Sequence, residues 1–325
     1  KVSVYTDNSH WIWHGGEPLL MGIGFFKVVK DIQDFYRQRN KNFCNGIQTN
    51  GTLITNELLD FVRLTHDFDM GTSIDGPKEI NDKTRSYADK GAFEDIIGGI
   101  NLLKIKTGSA GAICVVNAHN ISYPFELYNF FKLNNIHVKF NPLIKSGRAN
   151  KNLLELGITP RQYGRFLLDL WEIYNQDVEK DEEIKIDVDP IMEVIGNLQT
   201  GRSIGCNYSL SCRENFISIG PQGDIYPCGR FDGIREFWMG NIRTHTIEQA
   251  INSELNQRLQ KRNIETVSGC KTCDSSHICN SGCMHNAYCN GDVMGKDPYC
   301  SSYKQLFNRL RQVLDQEEEL KGGGN

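Results

Sequence analysis

In the segment Trp11-Ile12-Trp13-His14-Gly15-Gly16-Glu17-Pro18, a predicted apolar strand end is followed by two glycines and a glutamate. Downstream, strands are predicted at residues 46–48, 68–74, 112–116 and 137–143, and helices at 25–39, 56–65, 93–107 and 123–133. Because strands and helices alternate, we expect an α/β fold with parallel strands and right-handed crossovers. Ligands bind at the carboxyl ends of such strands.

The later part of the chain is predicted to begin with connecting helices at 161–174 and 190–198. An acidic run at 177–183 lies between them and is interpreted as a solvated linker. A final amphipathic helix is predicted at 301–320. We therefore divide the chain into a barrel (1–150), connecting helices (151–203), a cysteine-rich domain (204–303), and a helix and tail (304–325).

Composition narrows the possible functions. The chain has 325 residues, 39% hydrophobic and 23% charged, which is typical of a globular protein. Its net charge of −4 argues against a nucleic-acid partner, since phosphate binding favours a basic surface. No apolar run approaches the roughly 18 residues that a membrane helix needs, and the first ten residues are not a signal peptide. We expect a cytoplasmic protein with no membrane partner.

Three polar motifs follow predicted strands. The first is Gly15-Gly16-Glu17-Pro18, the second is Thr49-Asn50-Gly51, and the third is Ser73-Ile74-Asp75-Gly76-Pro77, with Arg85 beyond it. Each motif alone would be an ordinary turn. Together, in this order, they resemble the radical S-adenosylmethionine (radical SAM) superfamily over residues 1–150, which implies a partial (β/α)6 barrel.

The resemblance also implies a set of SAM contacts. Gly15, Gly16, Glu17 and Pro18 would bind the methionine amino group, with Thr49 and Asn50 nearby. Ser73 and Asp75 would lie near the methionine carboxylate and ribose. Arg85 is a candidate partner for that carboxylate, since a guanidinium fork matches a carboxylate, and Asn117 is a candidate ribose contact.

One defining feature of the superfamily does not occur in this sequence. The loop after the first strand should carry Cys-x3-Cys-x2-Cys, which holds a SAM-binding [4Fe–4S] cluster, yet none of the 14 residues before Gly15 is a cysteine. We expect the first strand and its loop to precede residue 1. A degenerate relative without this cluster is the alternative.

The cysteines form the second strong pattern. There are 11, an odd number that excludes complete pairing into disulfides, and nine of them lie after residue 200. Thiolates at the spacing Cys-x2-Cys-x5-Cys-x3-Cys hold zinc or iron–sulfur clusters. The pattern, with Gly223, resembles the SPASM extension of radical SAM enzymes, which binds two auxiliary [4Fe–4S] clusters.

The resemblance extends to the cysteine pattern of anaerobic sulfatase-maturating enzymes. It implies that the first auxiliary cluster is held by Cys206, Cys212, Cys228 and Cys283. The second would be held by Cys270, Cys273, Cys279 and Cys300. Cys44, Cys114 and Cys289 are then spare, and Cys289 is interpreted as a free cysteine in a tight loop near His285.

The resemblance implies a peptide-modifying oxidoreductase. A hydrogen atom is removed from the substrate by a 5′-deoxyadenosyl radical derived from SAM, and an auxiliary cluster accepts the electron. We predict a maturase that installs a thioether or carbon–carbon crosslink in a ribosomally made precursor peptide. A flavodoxin or ferredoxin is the expected reducing partner.

Two alternatives remain. In sulfatase maturases, which form formylglycine, an aspartate proposed as a base follows the third cysteine of the auxiliary set. Gly229 stands there in this chain, so sulfatase maturation ranks second, with Asp224 and Asp232 as weak candidates for the proton acceptor. A non-catalytic iron–sulfur or zinc protein is the alternative from another class.

Overall fold

The computed structural model describes residues 2–87, 90–180, 185–210 and 212–322. The chain divides into two compact units. The first unit comprises residues 1–114, 129–139 and 218–252, and the second comprises residues 115–128, 140–217 and 253–325. The boundaries predicted from the sequence at 150, 203 and 303 stay predictions.

A six-stranded sheet is the main strand element of the chain. Its strands, in spatial order, are Asn8–Trp13 (β1), Asn42–Gln48 (β2), Phe68–Ser73 (β3), Gly111–Val116 (β4), His137–Pro142 (β5) and Val188–Asp189 (β6). The pairs β1–β2, β2–β3 and β3–β4 are parallel. Helices connect successive strands, which confirms the predicted α/β class.

The longer helices agree with the predicted ones to within a few residues, except at one end and except for the helix at residues 254–260, which was not predicted. They are Gly22–Arg37 (α1), Asn56–Thr65 (α2), Phe93–Thr107 (α3), Pro124–Leu133 (α4), Pro160–Lys180 (α5), Ile191–Thr200 (α6), Glu254–Gln260 (α7) and Cys300–Gly322 (α8). Shorter α-helices are Val2–Tyr5, Lys78–Asn81, Leu153–Leu156, Cys212–Asn215, Ile247–Ile251, Ser276–Cys279 and Met284–Cys289. None of the helices in the described part of the chain is long and apolar enough to cross a membrane.

The exception is the end of α5. The sequence predicted a linker over 177–183, but the helix continues to Lys180. The hydroxyl of Tyr128 in α4 donates a hydrogen bond to the Asp177 carboxylate at 2.5 Å. Asp177 therefore has a hydrogen-bond partner within the folded chain while it lies in α5. Residues 181–184 lie outside the described residues.

The core of the first unit forms where α1 and α2 cover the sheet. Along β2 the side chains of Phe43, Asn45 and Ile47 are buried while their neighbours are more exposed, as expected of a strand with one covered face. Ile47 packs with Phe26 of α1 in a cluster of buried apolar side chains. Thr55 begins α2 by accepting a hydrogen bond from the backbone of Leu58, as an N-cap should.

The core of the second unit is built on α5 and α8, which pack together, with α6 against α8. Tyr163, Phe166 and Leu170 recur at helical spacing on α5 and are buried. The Tyr163 hydroxyl donates to the Phe140 carbonyl of β5 at 2.9 Å, so the buried ring keeps a partner for its polar atom.

A small antiparallel sheet completes the first unit. Its strands are Ser218–Ile219 (β7), Asp224–Tyr226 (β8) and Gly240–Asn241 (β9), in the spatial order β9–β8–β7. Separately, Ser86–Tyr87 pairs antiparallel with Lys90–Gly91. Short 3-10 helices lie at Pro18–Met21, Gly147–Asn150, Cys206–Tyr208, Gly229–Phe231 and Arg235–Phe237.

Candidate functional site: a glutamate turn and a cysteine cavity

Glu17 joins two of the predicted ligand-binding motifs. Its Oε1 atom accepts a hydrogen bond from the backbone N–H of Leu19 at 3.0 Å, which starts the 3-10 helix Pro18–Met21. The same atom accepts from the hydroxyl of Thr49 at 2.7 Å, and Oε2 accepts from the backbone N–H of Asn50 at 2.7 Å. A carboxylate has about four lone-pair sites, so Oε2 can accept one further donor such as an ammonium group.

The register of the sheet explains why Glu17 lies beside Thr49 and Asn50. Trp13, the last residue of β1, is paired with Ile47 near the end of β2. The chain therefore leaves both strands at the same carboxyl edge. Gly15 and Gly16 follow with φ values of +79° and +56°, a backbone region that favours glycine. No atom lies within 4 Å of where a Cβ would stand at either glycine, so this turn leaves room for a ligand.

Asp75 and Arg85 pair with each other. The Arg85 Nε lies 2.9 Å from one oxygen of Asp75, and Nη2 donates to the other at 3.0 Å. The hydroxyl of Thr84 also donates to Asp75 at 2.8 Å, and the Asp75 carboxylate is buried. The guanidinium is therefore held against Asp75 by charge and by the Nη2 hydrogen bond, while Nε has no hydrogen-bond partner among the described residues. Ser73 is partly buried, and its hydroxyl accepts from the Gln48 amide at 3.3 Å.

Asn117 belongs to the second unit and is held by its own turn. Its amide Nδ2 donates to the Val115 carbonyl at 2.9 Å, and its Oδ1 accepts from the backbone N–H of His119 at 2.9 Å. The side chain is buried. These bonds give Asn117 a structural role in the turn after β4, and its predicted contact with ribose stays a prediction.

The four cysteines predicted for the second cluster line one cavity in the second unit. Cys270, Cys273, Cys279 and Cys300 surround it, together with Tyr208 and Tyr303, among other residues. Cys279 ends the short helix Ser276–Cys279, and Cys300 begins α8. The chain therefore brings residues separated by up to 30 positions to one enclosed place.

Three consecutive left-handed residues turn the chain inside this region. Asn280, Ser281 and Gly282 have φ values of +49°, +72° and +70°. Such a run is uncommon for residues with a side chain. Asn280 is held there by hydrogen bonds from its amide to the Tyr208 carbonyl at 2.8 Å and to the Ser203 hydroxyl at 2.5 Å. The turn separates Cys279 from Cys283, which the sequence assigns to different clusters.

The electrostatics of the cavity favour bound cations. Burial, together with the charges of the nearby Cys300, Asp297 and Cys270, raises the pKa of Cys279 to about 12. Burial likewise raises the pKa of Asp297. Thiolates crowded in this way repel one another, so iron ions, which bind thiolates directly, would compensate their charge. A donor set of four cysteines therefore fits a [4Fe–4S] cluster.

Buried arginine atoms provide a second test of that fit. Nε and Nη1 of the buried Arg213, which follows Cys212, have no hydrogen-bond partner among the described residues, and neither does the buried Nε of Arg262. A buried donor left without an acceptor is costly, above all on a charged group. A fully cysteine-ligated cluster is anionic and carries sulfur acceptors, so these donors suit bound clusters.

The cysteines predicted for the first cluster draw on both units. Cys206 begins the 3-10 helix Cys206–Tyr208, Cys212 begins the helix Cys212–Asn215, and Cys283 precedes the helix Met284–Cys289; all three belong to the second unit. Cys228 belongs to the first unit, where it follows β8. The assignment of this set stays a prediction.

The two aspartates considered as proton acceptors have different surroundings. Asp224 accepts hydrogen bonds from Asn241 at 2.9 Å and Trp238 at 2.8 Å, and these bonds lower its pKa. Asp224 thus stabilises the small sheet and is a poor base. Asp232 is exposed, with its carboxylate against Gly220, where an added Cβ would lie 2.5 Å from Oδ1.

His14 is a titratable group that the sequence reasoning passed over. It directly precedes the Gly15-Gly16 turn and is influenced by the charge of Arg230, the second residue after Cys228. His14 is exposed as a residue, yet desolvation of its ring lowers the pKa, the charge of Arg230 lowers it as well, and Glu17 raises it. A lowered pKa favours the neutral form of the imidazole. Its position before the glycines was the only sequence signal.

The three spare cysteines lie in different settings. Cys114 is buried in β4, and burial raises its pKa well above the usual value. Cys44 is exposed on β2, where it is paired across the sheet with His10. Cys289 ends the helix Met284–Cys289, so the predicted tight loop is wrong; its sulfur lies 3.7 Å from Nε2 of His285, because residues four apart share one helix face.

The parallel sheet, the glutamate turn at its carboxyl edge and the cysteine cavity define a radical SAM enzyme with a SPASM domain. A family model described as an iron–sulfur cluster-binding SPASM domain matches residues 211–274. The chain is 30% identical to the serine-type anaerobic sulfatase-maturating enzyme of Bacteroides thetaiotaomicron, covering 93% of this chain and 76% of the relative. The chain belongs to the anaerobic sulfatase-maturating enzyme family.

Further comparisons agree. The cysteine-type anaerobic sulfatase-maturating enzyme of Clostridium novyi is 28% identical over 93% of this chain and 80% of its own length. A solved structure of a native enzyme called anSMEcpe, with bound AdoMet and a Kp18Cys peptide, superposes with a TM-score of 0.81. It is 23% identical and covers 96% of this chain and 86% of that one, so it shows the fold.

These findings confirm several of the sequence predictions. The chain is a radical SAM maturase with a SPASM domain, an enzyme whose cofactors are S-adenosylmethionine and [4Fe–4S] clusters. The non-catalytic alternative is therefore set aside. The comparisons favour sulfatase maturation, which the sequence ranked second, over peptide crosslinking, which it ranked first.

Proposed function

We propose that this enzyme oxidises a serine or cysteine side chain of a sulfatase to formylglycine. The observation that carries the proposal is the identity of 30% to the serine-type maturase, which extends over 93% of this chain. A likeness of this length extends far beyond the SPASM domain matched at residues 211–274. Localised similarity to the SPASM domain alone would have left the substrate open.

Crosslinking of a precursor peptide is the weaker candidate. The supporting neighbour is the Streptococcus suis protein SuiB, solved with its precursor peptide SuiA. That structure has a TM-score of 0.56 and 14% identity, and it covers 78% of this chain. Likeness at this level concerns the fold alone and says nothing about the product.

The overall reaction removes two hydrogens from the substrate carbon and its heteroatom. Bound S-adenosylmethionine with its cluster supplies a radical that takes one hydrogen atom from the side-chain carbon. The other hydrogen leaves as a proton, and one electron leaves with it. For serine this gives the aldehyde directly. For cysteine it gives a thioaldehyde, which water converts to the aldehyde with release of hydrogen sulfide.

The chain contributes binding groups at the turn. We assign Glu17 to the methionine ammonium, because its Oε2 keeps an acceptor site after the three bonds from Leu19, Thr49 and Asn50. Asp75 acts on Arg85 rather than on the ligand, since their ion pair and the Nη2 hydrogen bond position the guanidinium. Arg85 would then meet a carboxylate through Nη1.

The chain also needs a group that accepts the proton. Gly229 cannot serve, and Asp224 is committed to the small sheet. We assign this role to His14, whose lowered pKa favours the neutral imidazole. Its Nδ1 accepts a hydrogen bond from the backbone N–H of Gly15 at 2.6 Å, and this nitrogen has to give up that bond to take the proton.

The decisive experiment uses the peptides named in the solved relatives. The reconstituted full-length enzyme is incubated anaerobically with S-adenosylmethionine, a strong reductant and the Kp18Cys peptide. We expect an aldehyde that reacts with a hydrazine reagent, detected by mass spectrometry, and release of hydrogen sulfide. A Glu17→Gln variant should bind S-adenosylmethionine more weakly. Loss of two hydrogens from the peptide without an aldehyde would instead indicate crosslinking.

The reducing partner can be tested separately from the substrate. We propose that a flavodoxin or ferredoxin supplies the electron, because the cofactors work by single-electron steps. Replacing the chemical reductant with reduced flavodoxin should support S-adenosylmethionine cleavage. The absence of cleavage with flavodoxin and ferredoxin, when the chemical reductant works, would contradict this partner.

A further inference from the structure

Arg262 connects the two loops that carry cluster cysteines in the second unit. Its Nη2 donates to the Ser281 carbonyl at 2.8 Å and to the Gly295 carbonyl at 2.9 Å, and its Nη1 donates to the Gly282 carbonyl at 2.9 Å. Ser281 and Gly282 lie between Cys279 and Cys283, while Gly295 lies five positions before Cys300. One side chain therefore fixes both loops.

The Nε atom of Arg262 differs from its two Nη atoms, which donate to backbone carbonyls. Its Nε atom is buried and has no hydrogen-bond partner among the described residues. Burial lowers the pKa of Arg262, whereas the thiols of Cys283, Cys270 and Cys279 and the Asp297 carboxylate act to raise it. An arginine keeps its charge in proteins. The guanidinium is thus a cation next to cysteines of both predicted sets, with a free donor.

Ser281 and Gly282, whose carbonyls Arg262 holds, line the cavity of Cys270, Cys273, Cys279 and Cys300. We propose that Arg262 is a positioning residue that raises the reduction potential of the auxiliary cluster held by these four cysteines. The physical reason is charge. Reduction adds one electron to an already anionic cluster, so a nearby cation and a hydrogen bond to cluster sulfur stabilise the reduced state. No atom is transferred in this step. A higher potential makes the cluster a better acceptor for the electron that leaves the substrate.

Arg262 donates hydrogen bonds to three backbone carbonyls. They orient the guanidinium and leave Nε as the donor for a ligand. A lysine can restore the charge at this position but cannot form three directed bonds and keep a further donor in a fixed direction. A glutamine keeps polar donors without charge. These differences allow charge and loop geometry to be separated.

The test is a potentiometric titration followed by electron paramagnetic resonance on the full-length enzyme with its clusters. The signal of the Cys270 set is the one that a Cys273→Ala variant removes. We expect Arg262→Met to lower the equilibrium constant for one-electron reduction about tenfold, a shift of about 59 mV to more negative potential. Arg258→Met, which removes an exposed arginine in α7, is the matched control and should leave the potential unchanged.

Two further variants keep the proposal open to refutation. If Arg262→Met loses iron, Arg262→Gln is measured instead, and a lowered potential supports the proposal. Arg262→Lys should stay near the wild-type potential. The proposal is overturned if the potential of the uncharged variants equals that of Arg258→Met, if lysine shifts it as far as methionine, or if every Arg262 variant loses its clusters. None of these measurements involves the substrate, so the outcome is independent of the formylglycine proposal.

Discussion

Gly99 in α3 gives the sharpest link between the packing of the fold and the ligand turn. A Cβ at this position would lie 2.1 Å from the Gly51 carbonyl oxygen and 3.3 Å from the Cβ of Ile54. Carbon and oxygen normally approach to about 3.3 Å, so Gly99→Ala must move the helix away from the turn by about 1 Å. Gly51 itself has a φ value of +84° and follows the Thr49-Asn50 pair that contacts Glu17.

The neighbouring Gly98 provides a matched control. It is exposed, and no atom lies within 4 Å of where its Cβ would stand. Both substitutions gain about 1 kcal/mol of helix propensity, so this term cancels between them. The difference that remains is the overpacking at Gly99, about 1–3 kcal/mol. Gly99→Ala should therefore unfold at a lower urea concentration than Gly98→Ala.

The same displacement should reach the ligand. Moving Gly51 disturbs the backbone N–H of Asn50 that donates to Glu17. We expect weaker S-adenosylmethionine binding by Gly99→Ala, measured by isothermal titration under anaerobic conditions, and unchanged binding by Gly98→Ala. Equal unfolding midpoints for the two variants would refute the packing argument. If the two variants differ in stability but bind S-adenosylmethionine with equal affinity, only the coupling to Glu17 is refuted.

Three further predictions concern the site. Asp75→Asn should destabilise the protein by about 2–4 kcal/mol in urea unfolding, because it leaves Arg85 with a buried neutral partner. Activity should fall as the pH drops through the lowered pKa of His14, and His14→Gln should remove that acid limb of the pH profile without abolishing S-adenosylmethionine binding. Cys273→Ala should lose about four irons per chain on iron analysis, whereas Cys289→Ala should keep them.

Each of these has a contradicting outcome. An unfolding midpoint unchanged by Asp75→Asn, with weaker binding of S-adenosylmethionine, would make Asp75 a ligand contact instead of a support for Arg85. An acid limb that persists in His14→Gln would assign the proton to another group. Full iron content in Cys273→Ala would remove this cysteine from the second cluster. If Cys289→Ala loses as much iron as Cys273→Ala, iron content does not distinguish cluster ligands from the other cysteines.

The sequence predicted the parts of this fold that are local. Helix periodicity placed α3 at residues 93–107, its observed bounds, because apolar spacing and burial coincide there. It misjudged the end of α5, since the bond between Tyr128 and Asp177 joins residues 49 positions apart. A helix end stabilised by a distant partner leaves no local signal.

The same distinction holds for the candidate site. Glu17 and the cysteines could be named because their spacing resembles known motifs. The pairing of Asp75 with Arg85 could not, because a sequence does not show whether an arginine meets a ligand or a carboxylate of its own chain. The roles of Arg213 and Arg262 were also invisible, because neither residue occurs in a recognisable motif. Only their burial and the unpartnered nitrogen atoms draw attention to them.

Arg213 and Arg262 share one physical feature: each is a charged side chain with nitrogen atoms that are buried from water. A buried cation without a paired anion destabilises a protein by several kcal/mol. Arg213 lies next to Cys212, and Arg262 next to Cys270, Cys279 and Cys283. Each is therefore best understood together with the anionic cluster that its neighbouring cysteines would hold. It follows that cluster binding should stabilise the fold, and that removal of iron should expose these charges and lower the urea midpoint of the second unit.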